Sequence, residues 1–329
     1  MSVLLLSVIL VALFFDFTNG FHDAANAIGT SISTRALSPT TALILAAVLN
    51  FVGALLSTNI AATVCKGIVL PEVVTLEMVL AGLIAAIVWN LITWYFGIPS
   101  SSSHCLVGGV AGAVVVGFGS EGVQWMGIVG KVLVPTVLSP VLGFVVGLLF
   151  NSAVSWTTRG VQPGKVATRF RRLQLISASA MALSHGLNDA QKTMGIITLA
   201  LFADHAIANP DVPNWVKLAC AIVMGLGTFA GGKRIIKTLG SKIVHLTPVD
   251  GFSAQTAGAG VLQLAAHFGL PVSTTHVITA SIMGVGSTRN VRAVRWGVTR
   301  NILYAWVLTL PISGALGALF AAITLHITK

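Results

Sequence analysis

Charge is what this sequence has least of. Asp, Glu, Lys and Arg make up 9% of its 329 residues, against about a quarter in a soluble globular chain. Only nine residues are acidic, too little polar surface to cover a water-soluble core, so a soluble fold is excluded. Cysteine is scarce too: Cys65, Cys105 and Cys220 stand far apart with no paired or metal-ligand spacing, which excludes a disulfide frame and a zinc site. No GxxxxGK(S/T) nucleotide loop occurs, so ATP is not implied. What is present is 55% hydrophobic residues and a mean hydropathy of +0.91, and the bilayer is the solvent these imply.

The first twenty residues lack a basic start and a small-x-small cleavage site, and read as a membrane span rather than a secretion signal. The net charge of +10 sits in short connections between apolar runs. That is a membrane-orientation signal, not a nucleic-acid footprint. Several apolar runs, among them 105–119, 173–186, 193–203 and 277–287, fall short of the roughly 20 residues a spanning helix needs. Short runs beside Gly, Pro, Ser and Asn predict broken or re-entrant helices, tolerated at membrane depth only where protein or a water-filled cavity satisfies the open backbone.

The chain repeats itself. GIPSSSSHCLVGG at 97–109 matches GLPVSTTHVITAS at 269–281, and NGFHDAANAIG at 19–29 matches HGLNDAQKTMG at 185–195. Trp125, Pro140 and Gly143 match Trp296, Pro311 and Gly314 in the same order. Basic residues then set the orientation of the halves: 13 of the 19 fall at 159–172, 233–242 and 289–300. The arginine-rich loop at 289–295 corresponds to 120–124, which carries Glu121 and no base, and the connection holding Arg35 corresponds to 203–214, which carries Asp204 and Asp211. Equivalent loops therefore lie on opposite sides of the membrane, and the repeats are inverted. The expected fold is an all-α polytopic membrane protein of two inverted-topology repeats with broken or re-entrant helices. They cover 1–155 and 173–329, joined by a basic cytoplasmic linker at 156–172, with both termini external.

Inverted repeats place a site near the bilayer midplane, where discontinuous helices meet. Pro99 and Pro271 precede the hydroxyl runs Ser100–Ser103 and Ser273–Thr275. Pro ends a preceding helix and Ser or Thr caps a following one, so each run should open a half-helix whose free N–H groups suit an oxyanion such as phosphate. Ordinary caps or packing hydroxyls are the plainer reading, weakened by duplication. Asp23 and Asn26 face Asn188 and Asp189 as a second motif pair. Carboxylates and carboxamides inside a membrane hold a hard cation such as Na+ through Asp23, Asn26 and Asp189, or take up a proton. Helix capping by these Asp residues is the competing reading. Lys192 stands where the first half has Asn26, so its ammonium can substitute for a coupling cation, or simply snorkel. His104 and His276 follow the hydroxyl runs as supporting or proton-handling groups, and His22 and His185 flank the Asp motifs. Asp250, after Pro248, reads as a loop-edge acid ahead of a coupling residue. An intramembrane serine hydrolase needs one asymmetric nucleophile–base pair, whereas both motifs here are duplicated. That favours a transporter over an enzyme.

At NGFHDAANAIGTSISTRALSP, SHGLNDAQKTMGIITLAL, GIPSSSSH and GLPVSTTH the chain resembles the inorganic phosphate transporter (PiT) family over essentially its whole length. The resemblance implies a symporter, commonly dimeric, that imports inorganic phosphate across the plasma membrane with Na+ or H+. It implies phosphate binding at Ser101, Ser102, Ser103, Ser273, Thr274 and Thr275, and coupling ions at Asp23, Asn26, Asn188 and Asp189. Gln191-Lys192 departs from the Ala-Asn of Na+-coupled members and is closer to bacterial members thought to carry metal-phosphate, with Mg2+ a candidate metal, together with protons. No cofactor and no nucleic-acid partner is expected. A sulfate or divalent-metal transporter of the same architecture is the alternative.

Overall fold

The computed structural model describes residues 2–327, and it is helical almost throughout. Six helices form the first half: α1 (Val3–Ser33), α2 (Pro39–Leu55), α3 (Asn59–Gly67), α4 (Leu76–Phe96), α5 (Ser102–Gly117) and α6 (Trp125–Thr157). Six more repeat that order: α7 (Pro163–Ala203), α8 (Asn214–Ala230), α9 (Lys233–Lys242), α10 (Pro248–His267), α11 (Thr274–Ser287) and α12 (Trp296–Ile327). The duplication reaches the turns. Arg35 and His205, which follow α1 and α7, both have φ 56°, and Gly97 and Gly269, which follow α4 and α10, have φ 65° and 64°. Left-handed backbone of this kind closes a helix and is least strained at glycine.

Repeat mates α1 and α7 cross antiparallel. Asp16 near one end of the contact meets Thr193, and Thr34 at the other meets Gln174. A pair of mates running in opposite directions is direct evidence that the halves are inverted. They also exchange neighbours: α1 packs on α8 and α2 on α7, while α5 packs on α12 and α6 on α11. The α2–α7 approach depends on glycine at both positions of contact. A Cβ on Gly53 would lie 2.2 Å from the Leu183 carbonyl oxygen, and one on Gly186 would lie 2.2 Å from that of Asn50.

Helices α1, α4, α6 and α12 are each long and apolar enough to cross a membrane. The pairs α2/α3 and α8/α9, bent by 68° and 61°, raise the number to six. Besides these two bent pairs, α5 and α11 are short half-helices that start after breaks at Gly97–Ser101 and Gly269–Ser273, as the sequence predicts. The Asp motifs are different: α1 and α7 run unbroken through them, so the runs 173–186 and 193–203 belong to one 41-residue helix. That helix is buried almost continuously from Ser184 to Leu201, so its polar motif faces protein rather than lipid. The stretch expected as a linker, 156–172, is helical from Pro163 onward as the opening turns of α7.

The three basic clusters gather at one end of the bundle. Arg295 donates to the Ser241 carbonyl, and Arg289 pairs with Asp250 at the start of α10, next to Gly251, which lies against Gln174 and Thr34. Ser2 lies at the opposite end, within reach of Asp204.

Candidate anion and cation site

Two half-helices begin at the centre of the bundle. Gly97 ends α4, Pro99 keeps the chain extended, and Ser101 caps α5 by accepting from the His104 N–H at 3.3 Å. Gly269, Pro271 and Ser273 do the same for α11, with Ser273 accepting from the His276 N–H at 3.3 Å. Ser101 and Ser273 therefore spend their hydroxyls on capping. The residues after them, Ser102, Ser103, Thr274 and Thr275, project theirs into the cluster.

Those hydroxyls meet the Asp motifs directly, so the expected anion and cation sites are one site. Ser102 donates to Asp23 Oδ2 at 3.1 Å and Thr275 to Asp23 Oδ1 at 3.2 Å. Thr274 donates to Asp189 Oδ2 at 2.8 Å. Asn26 Nδ2 donates to both Thr274 (3.2 Å) and Thr275 (2.9 Å), which links the two carboxylates through one carboxamide. Lys192 donates to Asp189 Oδ1, to the Ser103 hydroxyl and, at 3.0 Å, to the Val272 carbonyl. All of these residues are buried.

Capping does not explain the two Asp residues, because both sit in the middle of continuous helices. Nor does Lys192 snorkel: it is buried, with its ammonium held by three oxygens. Asn188 stands apart from the cluster's hydrogen bonds, its amide donating to the Ser184 and Leu262 carbonyls. His104 and His276 touch each other, ring centroids 5.0 Å apart, and not the carboxylates. His104 contacts Thr136, and His276 stacks on Trp306 at 3.9 Å. The histidines that do reach the carboxylates are His22, with Nδ1 2.7 Å from Asp23 Oδ1, and His185, with Nε2 3.0 Å from Asp189 Oδ2. The latter is an electrostatic contact without hydrogen-bond alignment. His22 and Asn19 correspond to Asn188 and His185 in the repeat, so histidine and asparagine change places between the halves and each carboxylate keeps one imidazole. Gln191, which the sequence marks only as part of the Gln191-Lys192 departure, has a structural role: its side-chain oxygen accepts from the Ile60 N–H at 2.8 Å and anchors the start of α3.

The donor set fits a hard cation. Ligand atoms of Asp23, His185 and Asp189 lie within 4.8 Å of one another, and the buried Asn26 Oδ1 has no donor. Oxygen-rich, partly unsatisfied surroundings of this kind suit Na+ or a proton more than a soft metal.

Comparison with known proteins agrees with this geometry. A family model described as the phosphate transporter family matches residues 19–317. A Bacillus subtilis protein described as "probable low-affinity inorganic phosphate transporter" is 50% identical, over 97% of each chain. A Rhizobium meliloti protein of the same description is 49% identical, over 97% of this chain and 96% of its own. A solved structure described as "the sodium-dependent phosphate transporter" matches with a TM-score of 0.89 at 27% identity, covering 99% of this chain and 100% of that one. With its facing half-helices, its paired aspartates and a family match across nearly its whole length, this chain belongs to the phosphate transporter family.

Proposed function

We infer that this protein is a secondary symporter that imports inorganic phosphate across a plasma membrane, its basic end cytoplasmic and its termini external. One observation carries the reading: the starts of α5 and α11 converge on a buried cluster holding two carboxylates and one ammonium. Helix N-termini and hydroxyls favour an oxyanion, while the carboxylates oppose it until they are neutralised. Lys192 neutralises Asp189. Asp23 has only His22 and hydroxyls, so an anion beside it needs one further positive charge. Co-binding of a cation or proton with phosphate follows from that electrostatic demand. Rocking of the inverted halves about the cluster exposes it to each side in turn.

Lys192 deepens the reading. Its ammonium is held by a carboxylate, a hydroxyl and a backbone carbonyl, the oxygen types that bind Na+. It acts as a tethered cation, and one fewer soluble ion is needed in the second half.

The test is uptake of labelled phosphate by proteoliposomes, with Na+ and pH gradients imposed separately and Mg2+ present or omitted. Uptake under at least one gradient, resistant to excess sulfate, is expected. Equal competition by sulfate, or no uptake under any gradient, overturns the reading. A strict Mg2+ requirement identifies the cargo as metal-phosphate.

A further inference from the structure

A cavity of about 370 Å3 opens at the basic end of the bundle, outside the central cluster. It is lined by Ser33 at the end of α1, Leu43 on α2, Gly231 in the bend before α9, and Lys233, Lys237 and Ser241 on α9. A second cavity, of about 380 Å3, continues it along the α2–α8 crossing between Ala47, Phe51, Ile222 and Phe229. Ile44 in the second follows Leu43 in the first, and Phe229 precedes Ala230, so the two form one groove. Ile44, Val48, Leu226 and Phe229 are each at least half exposed along it, a face that looks out at lipid. From Pro39 to Phe51 the groove follows α2 for about 18 Å, close to the ~15 Å depth of hydrocarbon in one leaflet. Its two lysines stand among the basic clusters, at the level of the lipid headgroups.

The charge in the groove is uncommitted. Of the three bases on this turn, Arg234 lies over the Tyr95 and Trp94 rings, at 4.5 and 5.4 Å, and donates to the Tyr95 carbonyl. Lys233 and Lys237 are exposed, and among the described residues neither forms an ion pair. No acid occurs on α2, α8 or α9. The fold does not ask for these lysines: α3, the repeat mate of α9, opens with Asn59 where α9 opens with Lys233, has Thr63 in place of Lys237, and carries its one base, Lys66, in the last turn. A second copy of the chain is a poor match for them. Glu72, Glu77, Glu121, Asp204 and Asp211 lie toward the opposite end of the bundle, the end of Ser2 and of the start of α4. Asp16, Asp23 and Asp189 are buried inside, and Asp250 is held by Arg289 and by the start of its own helix. No carboxylate is left at the level of the lysines to meet them from a neighbouring copy.

We propose that this groove is a binding site for an anionic phospholipid, with the headgroup phosphate between Lys233 and Lys237 and one acyl chain laid along α2 and α8. Two ammoniums with no acid beside them select net negative charge. Apolar side chains running one leaflet deep select a lipid over a soluble anion, because free phosphate gains nothing from Leu43, Phe51 or Phe229. A zwitterionic lipid brings a cation of its own to the lysines and loses the advantage. Lysine is a point charge on a flexible stem, without the fixed fork of arginine, so the site reads the phosphate and tolerates different headgroup alcohols. Asn26 lies on α1 about 10 Å before Ser33, so the lipid and the ligands of the central cluster occupy separate sites.

The test is native mass spectrometry of the detergent-solubilised protein, titrated with dioleoyl phosphatidylglycerol, with dioleoyl phosphatidylcholine, or with the first lipid and excess inorganic phosphate together. Wild type is compared with Lys233→Gln/Lys237→Gln and with Ala47→Trp, which fills the groove without changing its charge. Lys165→Gln/Arg169→Gln, at exposed positions on α7 outside the groove, is the charge control. Two ammoniums beside an anionic headgroup are worth about 30-fold in binding. Wild type and the charge control are expected to retain phosphatidylglycerol about 30-fold more tightly than phosphatidylcholine, the lysine variant to hold the two alike, and Ala47→Trp to weaken both. Inorganic phosphate should displace neither. Equal affinity for the two lipids in wild type, a preference kept by the lysine variant, or binding untouched by Ala47→Trp overturns the proposal. Displacement by inorganic phosphate makes this a soluble-anion site and overturns it as well. The native cysteines are buried, so oxidative dimerisation of Phe229→Cys in membranes reports whether a second copy covers the groove instead. Monomer is expected, and a disulfide-linked dimer defeats the lipid assignment.

Discussion

Asn26 and Lys192 occupy equivalent positions on α1 and α7, and each reaches across to hydroxyls that open the half-helix of the other half: Asn26 to Thr274 and Thr275, Lys192 to Ser103. The scaffold is symmetric there and the charge is not. One side presents a neutral carboxamide whose oxygen lacks a donor, and the other presents an ammonium already paired with Asp189. The second half therefore carries a fixed positive charge at the position where the first half carries none.

Replacing Lys192 by asparagine should restore the missing cation position. Lys192→Asn is expected to make phosphate uptake depend on Na+, or to steepen an existing dependence, measured by titrating Na+ at fixed pH in proteoliposomes. Cation dependence identical to wild type defeats the tethered-cation idea. Lys192→Met, which leaves Asp189 buried without its ammonium and with only His185 and the Thr274 hydroxyl beside it, should lower stability by about 3–5 kcal/mol in thermal unfolding, and Asp189→Asn in the same chain should recover much of that loss.

Ser102 and Thr274 donate to Asp23 and Asp189 and belong to opposite halves. Ser102→Ala combined with Thr274→Ala removes two hydroxyls from the convergence of the helix starts. Hydrogen bonds to a charged partner are worth about 1.5–3 kcal/mol each, so phosphate binding should weaken by about 100-fold or more while the protein stays folded in the membrane. Normal uptake by the double variant removes these hydroxyls from the anion site.

The architecture was readable because duplication leaves its trace in residue order and basic loops leave theirs in charge. The Pro–Ser and Pro–Val–Ser–Thr runs announced α5 and α11, since cap and breaker chemistry is local. Helices α1 and α7 were harder. Asp23, Asn188 and Lys192 lower the apolar character of their segments, and only the neighbours packed around them show that one helix continues through each motif. The capping reading of the Asp residues failed for the same reason. The roles of His22, His185 and Gln191 depend on which face of the helix meets which neighbour. His22 and His185 stand at i−1 and i−4 from an aspartate and Gln191 at i+2, and tertiary contact alone distinguishes the carboxylate partners from the anchor of α3. Asp16 and Thr193 are 177 residues apart, and nothing local pairs them.

Ser101 and Ser273 test the division of labour within the hydroxyl runs. Their side chains cap α5 and α11, so Ser101→Ala should cost about 1 kcal/mol of stability and Ser101→Gly only a few tenths. Uptake measured well below the melting temperature should separate the two functions. A phosphate-affinity loss as large as that of Ser102→Ala would falsify the assignment of Ser101 to capping alone.

Asp250 is a buried acid outside the central cluster. Its Oδ2 accepts from the Thr247 N–H at 2.8 Å, and the Thr247 hydroxyl accepts in return from the Asp250 N–H at 3.4 Å, a capping box at the start of α10. Arg289 approaches the same oxygen at 2.7 Å, and Asn151 donates to Oδ1 at 3.2 Å. Every acceptor is filled, and the group sits at the basic end of the bundle, as a structural acid should. Arg289 is more than half exposed, so its pairing adds little in salt, and the cap is the larger contribution. Asp250→Ala should lower stability by about 1–2 kcal/mol and leave the Na+ and pH dependence of uptake as in wild type. An altered ion dependence in Asp250→Ala, with normal melting, moves this residue into the coupling path.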